Sequence, residues 1–191
     1  MSNNQLYNLK ARTTQQTLGH SATTLQEVIE WAEANRSLPS DPDEIFCGAF
    51  EYSVNNDNTL KYLRIFVTAV RLIKLISENP KLIAMDATHK TNWQGYPAIL
   101  MGTVDRCRHF HPYGFQISCT EKHKDFQFGF RAVSQLCAEI NGFSYQPSKL
   151  LADNSPTITK GYKKHFKQLP ERRIVCWANC IRNWDGKLIF S

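Results

Sequence analysis

Two aspartates stand where apolar runs end. Residues 81–92 read KLIAMDATHKTN, and the apolar stretch closes on Asp86. Lys149-Leu150-Leu151-Ala152-Asp153 closes in the same way. An acid at the end of a buried strand is unfavourable unless something uses its charge. Two carboxylates brought side by side repel each other, and a divalent cation held through oxygen ligands relieves that repulsion. Two such cations about 3.5–4 Å apart can activate a nucleophile and stabilise the leaving oxygen of a phosphodiester. Magnesium suits a pair of this kind because it takes one or two carboxylates and completes its shell with water and phosphate oxygens; manganese is the alternative. A plainer reading stays open for each acid, as a cap on a turn or helix. Asp153 precedes Asn154-Ser155-Pro156, an ordinary helix-start context.

The elements that must position these acids follow from periodicity and punctuation. Thr24-x-x-Glu27 is a capping-box pattern, and Leu25, Val28, Ile29 and Ala32 follow at helical spacing. Pro39-Ser40-Asp41-Pro42 then breaks the chain, so residues 1–42 read as a helical appendage and linker. Residues 45–54 and 60–67 read as a hairpin about the turn Asn55-Asn56-Asp57-Asn58, and a helix is expected over 69–78, ended by Pro80. Strands are expected over 81–88, 96–104 and 113–119, the second after a Trp93-Gln94-Gly95 turn. Their short connections favour an antiparallel meander. Residues 125–140 form an amphipathic helix with Phe126, Phe130, Val133, Leu136, Cys137 and Ile140 on one face, stopped by Asn141-Gly142.

A strand over 149–152, a helix over 156–166 started by Pro156, and a strand over 173–177 complete the order; a helix could begin over 178–183. The fold class is α/β, a mixed sheet of three antiparallel strands followed by parallel strands and flanked by helices. After a helical crossover the strand at 149 should run parallel to the strand at 81. Both acids then lie at one sheet edge, where α/β sheets bind ligands.

Basic residues gather late: Lys160, Lys163, Lys164 and His165 on one helix, then Lys167, Arg172 and Arg173. Phosphate contacts from Lys and Arg give nucleic-acid affinity that is independent of sequence and sensitive to salt. For the helix alone a solvated face is the simpler account. Arg106, Arg108, Lys122 and Lys124 join that side only if the fold brings them there. No complete zinc finger or helix-turn-helix pair is present. Cys107-x-His109-x-His111 spaces three possible zinc ligands at period two, without an evident fourth.

The 191 residues suffice for one core-bearing domain, and 42% hydrophobic with 21% charged residues is an ordinary globular balance. The net charge of +6 suits a polyanionic partner. No apolar leader opens the chain, and the run at 65–76 is interrupted by Arg71 and Lys74. A soluble intracellular protein without membrane contact is expected, its six scattered cysteines free and buried rather than paired.

Taken together, several of these strings resemble the MULE transposase domain of Mutator-like elements. They are KLIAMDATHKTNWQGYPAILMGTVD, PYGFQISCTEKHKDFQFGF, LLADNSPTITKGYKKHF and RIVCWANCIRNW, and the likeness runs from about Phe46 to Trp184. The resemblance implies a ribonuclease-H-like fold and metal-dependent DNA strand transfer, with Asp86 and Asp153 in the first two catalytic positions. It also implies DNA (transposon ends) as a partner and a nuclear setting, and leaves a homo-oligomer as one option. It bounds a domain at 43–185, C-terminally incomplete, with an irregular tail at 186–191. The family's third acid, a glutamate, lies downstream of Ser191. The family's Cys-x-x-His is here Cys176-Trp177-Ala178-Asn179, and Asn is a poor metal ligand. On these grounds the fragment is expected to be inactive, or to persist as a non-catalytic DNA- or protein-binding module.

Overall fold

The computed structural model describes residues 24–57, 59–88 and 95–175. The Trp93-Gln94 part of one expected turn, Asn58, the Cys176–Asn179 motif, the helix over 178–183 and the tail lie outside the described residues.

Helix α1 spans Leu25–Ala34 and starts on the Thr24 capping box, in which the Glu27 N–H donates to Thr24 Oγ1 at 3.2 Å and the Thr24 N–H to Glu27 Oε2 at 2.6 Å. Strands β1 (Ile45–Val54) and β2 (Leu60–Ala69) form the expected antiparallel hairpin. Helix α2 (Val70–Lys74) follows directly and tightens into a 3-10 turn over Leu75–Ser77. Then come β3 (Leu82–Thr88), β4 (Ala98–Val104), β5 (Phe110–Ser118), helix α3 (His123–Asn141), β6 (Lys149–Ala152), helix α4 (Pro156–Phe166) and β7 (Arg172–Val175).

The seven strands form one mixed sheet in the order β1-β2-β5-β4-β3-β6-β7. The meander β3-β4-β5 is antiparallel, and β6 and β7 add in parallel. The antiparallel part has five strands rather than the expected three, because β2 pairs with β5 through Arg64↔Ser118 to Val67↔Phe115. That long-range pairing leaves no local signal in the sequence. Strand β5 also starts three residues earlier than its composition suggests. The polar stretch before it is a tight turn, closed by the Asp105 N–H on His109 O and by Arg108 in a left-handed conformation (φ 68°).

One face of the sheet carries the main core. Phe66, Ile83, Met85, Ile99 and Met101 meet Phe126, Phe130 and Val133 of α3 and Ile158, Tyr162 and Phe166 of α4. The periodicity that predicts α3 is the stripe that is buried, and Gly142 ends the helix in a left-handed conformation (φ 75°) where a Cβ would be strained. Helices α3 and α4 approach closely at Gly161, where an added Cβ would lie 2.8 Å from Phe126 Cβ and 2.9 Å from His123 O. The other face is covered at its β1-β2 end by α1, where Ala32 and Val28 pack on Cys47, Ile65 and Val67. The helix of the N-terminal segment thus docks on the sheet, and the Cys47 N–H donates to Asn35 O at 2.8 Å.

Among the described residues four cysteines are free. Cys47 and Cys137 are buried, which raises their thiol pKa values; Cys119 is half-buried, and Cys107 is exposed rather than buried, because its turn faces solvent.

Candidate functional site: an acidic sheet edge beside a basic helix pair

Strand β3 pairs in parallel with β6 as Leu82↔Lys149, Ile83↔Leu150 and Ala84↔Leu151. The last pair of this ladder stands two residues before each aspartate, with Asp86 inside β3 and Asp153 one residue past the end of β6. Neighbouring strands lie about 4.8 Å apart, and residues in register share a face. Both acids therefore stand at the edge where β3 and β6 end. Asp86 lies on the face opposite the main core, since Ile83 and Met85 alternate toward that core.

The strand pairs extend this row across the sheet. Asp86 is opposite Leu100, Leu100 opposite Phe115, Phe115 opposite Val67, and Val67 opposite Cys47. Helix α1 covers the far end of the row, while Leu100 and Phe115, each 39% exposed, lead from it to the exposed Asp86.

Asp153 is half-buried and does double duty. Its Oδ1 accepts the Ser155 N–H at 2.9 Å, which turns the chain into α4. The capping reading of this residue is therefore real, and it engages one of the two carboxylate oxygens. Ser155 occupies the N-cap but makes no side-chain cap bond, and Pro156 opens the helix, where a missing N–H is harmless.

Strand β5 runs parallel to β3, so its end delivers the start of α3 to the same edge. That start is fixed by a buried charge network. The fully buried Asp125 accepts from Arg64 Nε at 2.5 Å, from the Lys122 N–H at 2.7 Å and from Thr120 Oγ1 at 2.6 Å. Arg64 also pairs with Glu51 at 2.5 Å, and Glu51 with Arg131 at 2.6 Å. Sequence reading missed this network. Its signal, Asp125 three residues past Lys122 at a helix start, reads as a cap and gives no hint of Arg64.

Of the basic residues, Lys160, Lys163, Lys164, Lys167 and Arg172 are exposed. The four lysines line a groove of about 480 Å³. A second groove of about 420 Å³ shares Lys160 and Lys163 and continues past Asn154, Ser155, Thr159 and Arg173 to the turn that carries Asp153. The fold adds His123 and Lys124 from α3: burial together with the charges of Lys160, Lys124 and Lys164 lowers the His123 pKa. Arg173 lines the second groove but turns its guanidinium to protein carbonyls and to Thr159. His165 is half-buried, with Nε2 at 2.9 Å from Ser134 Oγ. Burial and the charges of Arg131 and Lys167 push its pKa down to about 4, so it is neutral near pH 7 and adds no charge to the ridge.

The period-two Cys107, His109 and His111 set does not assemble. His109 Nδ1 and His111 Nε2 both approach Asp105 Oδ2, at 3.3 and 2.9 Å, and these contacts hold the Asp105 carboxyl down to about 2. Among the described residues no group of three or more His, Cys, Asp or Glu side chains could hold a metal ion. No helix among them is long and apolar enough to cross a membrane.

The fold is an α/β domain with one aspartate near the end of each of two adjacent parallel strands and exposed lysines on the helix that follows the second. The MULE transposase domain family matches residues 82–183 of the 191, more than half of the chain and both aspartates. The chain belongs to this family. No curated protein and no solved structure matches it.

Proposed function

We propose that this is a transposase-derived, DNA-binding domain. Its Asp86 and Asp153 hold a divalent cation, magnesium or manganese, at a ribonuclease-H-like sheet edge. The observation that supports the reading is the parallel β3–β6 pairing, whose continuation past Ala84↔Leu151 would bring the two distant acids to one edge. The donor set fits the ion: two carboxylates suffice for magnesium when water and phosphate oxygens complete its shell. When bound, such an ion supplies Lewis-acid stabilisation of a phosphodiester oxygen and an activated water or 3′-hydroxyl. The chain's own residues do the rest. Asp86 and Asp153 orient the cation, while Lys160, Lys163, Lys164, Lys167 and Arg172, with Lys124 beside them, neutralise backbone phosphates leading to the edge. The three antiparallel strands β5-β4-β3 followed by the parallel β6 and β7, with helical crossovers, support a ribonuclease-H-like assignment.

The described edge offers two carboxylates and no three-acid cluster. The expected outcome is therefore DNA and metal binding with little or no strand cutting. The contiguous lysine grooves favour the binding role specifically. Three measurements on the full chain test this: Mn²⁺ binding, DNA binding across a salt series, and cleavage of labelled transposon-end and random duplexes. Mn²⁺ binding should be lost in Asp86→Asn. DNA binding should weaken steeply with salt and survive both Asp86→Asn and chelation. Metal-dependent cleavage abolished by Asp86→Ala would overturn the inactive reading. Salt-insensitive or absent DNA binding would overturn the binding one.

A further inference from the structure

We propose that Arg173 is a positioning residue for the acidic edge: its guanidinium grips the end of β6 and holds Asp153 in register with Asp86. This rests on the metal-edge reading above and adds a residue that acts through Asp153.

The ladder between β3 and β6 ends at Ala84↔Leu151, and β6 itself ends at Ala152. Asp153 is therefore one residue beyond its strand and two beyond the last β3 pair, and backbone pairing alone does not fix it against Asp86. Arg173 supplies the missing hold. Its Nη2 donates to Asp153 O, and Nη1 donates to Ala152 O at 3.2 Å, Leu150 O at 3.3 Å and Ile174 O at 2.6 Å. Its Nε donates to Thr159 Oγ1 at 3.3 Å. One planar group thus ties β6, the turn after it, β7 and the first part of α4 together. On the far side of the same turn, the Ser155 N–H holds the Asp153 carboxylate. The residue is clamped at both its carbonyl and its side chain.

A guanidinium suits this task and an ammonium does not, because several carbonyls in different directions need a fork of fixed donors. Burial opposes the charge of Arg173, and the negative charge of Asp153 favours it. Sites that share an ion tolerate misplacement of only about 0.5 Å. Loosening this clamp should therefore weaken the acid pair without touching either acid.

The test uses the full chain with Arg173→Gln and Arg173→Lys, read in two ways. The first is Mn²⁺ affinity, which should fall about tenfold in Arg173→Gln, the usual effect of removing an outer partner of a metal ligand. Arg173→Lys should recover only part of it. The second needs no metal. Asp86→Cys with Asp153→Cys is oxidised, and the disulfide between positions 86 and 153 is quantified by mass spectrometry. Closure should slow about tenfold when Arg173→Gln is added, since a loosened strand end spends less time within bonding distance. Urea unfolding of each variant separates this local effect from global loss, and Arg173→Lys serves if Arg173→Gln unfolds. Unchanged closure in both Arg173 variants would overturn the inference. Failure of the parent chain to bind Mn²⁺ would instead sink the metal reading, and the closure rate would still decide the role of Arg173.

Discussion

Replacing Asp125 by Ala removes the centre of the buried charge network at the start of α3. Asp125 is fully buried, and its two oxygens take three donors: Arg64 Nε on Oδ1, with Thr120 Oγ1 and the Lys122 N–H on Oδ2. After Asp125→Ala, the nearly buried Arg64 keeps the Tyr62 ring beneath it and, as its ion-pair partner among the described residues, Glu51, which already serves Arg131. Breaking a buried pair by removing one partner costs about 3–5 kcal/mol, because the remaining charge stays desolvated. For a chain of this size each kcal/mol shifts the melting point by about 2–4 °C, so the drop should be about 6–20 °C. Asp125→Asn should lose less, since it keeps an oxygen for the Lys122 N–H. Arg64→Met combined with Asp125→Leu should also lose less than Asp125→Ala, because no buried cation is stranded and Glu51 keeps Arg131. Urea and thermal unfolding of the four proteins measure this directly. A loss below about 1 kcal/mol in Asp125→Ala, the range of exposed pairs, would refute the assignment of Asp125–Arg64 as a buried structural pair.

Two further outcomes follow from local geometry. The native state holds His165 neutral, its pKa lowered from 6.5 to about 4, so the unfolded chain takes up this proton first as pH falls. The contribution is present above about pH 6.5 and is lost as pH drops toward 4. Urea midpoints between pH 7.5 and 4.5 should therefore fall less steeply in His165→Gln than in the parent. Gly161→Ala should destabilise by about 1–3 kcal/mol, as overpacking does, because its Cβ would strike Phe126, His123 O and the Gln127 nitrogen. The same change should weaken DNA binding by separating Lys160 and Lys164 from the start of α3, measured by titration at fixed salt.

The local readings of the sequence carried far in this chain because they rest on short-range rules. The capping box at Thr24, the stripe of α3, Gly142 at its end and Pro156 at the start of α4 all act within a turn or two of their own positions. The parallel β3–β6 pair was also legible, since a helical crossover leaves little other choice.

What the sequence left open was long-range. It held no sign that β2 would pair with β5, that Arg64 would meet Asp125 sixty-one residues away, or that His123 would join the lysines of α4, and it left open whether Lys124 would. It placed Arg173 among the basic residues available to phosphate, whereas the folded chain turns that guanidinium inward onto the carbonyls around Asp153. Residue type and spacing determine which elements form and which faces they bury, because those preferences act between neighbours. Which charges are partnered and which remain for a ligand was decided only when distant segments packed, because a partner's identity depends on contacts that close only in three dimensions.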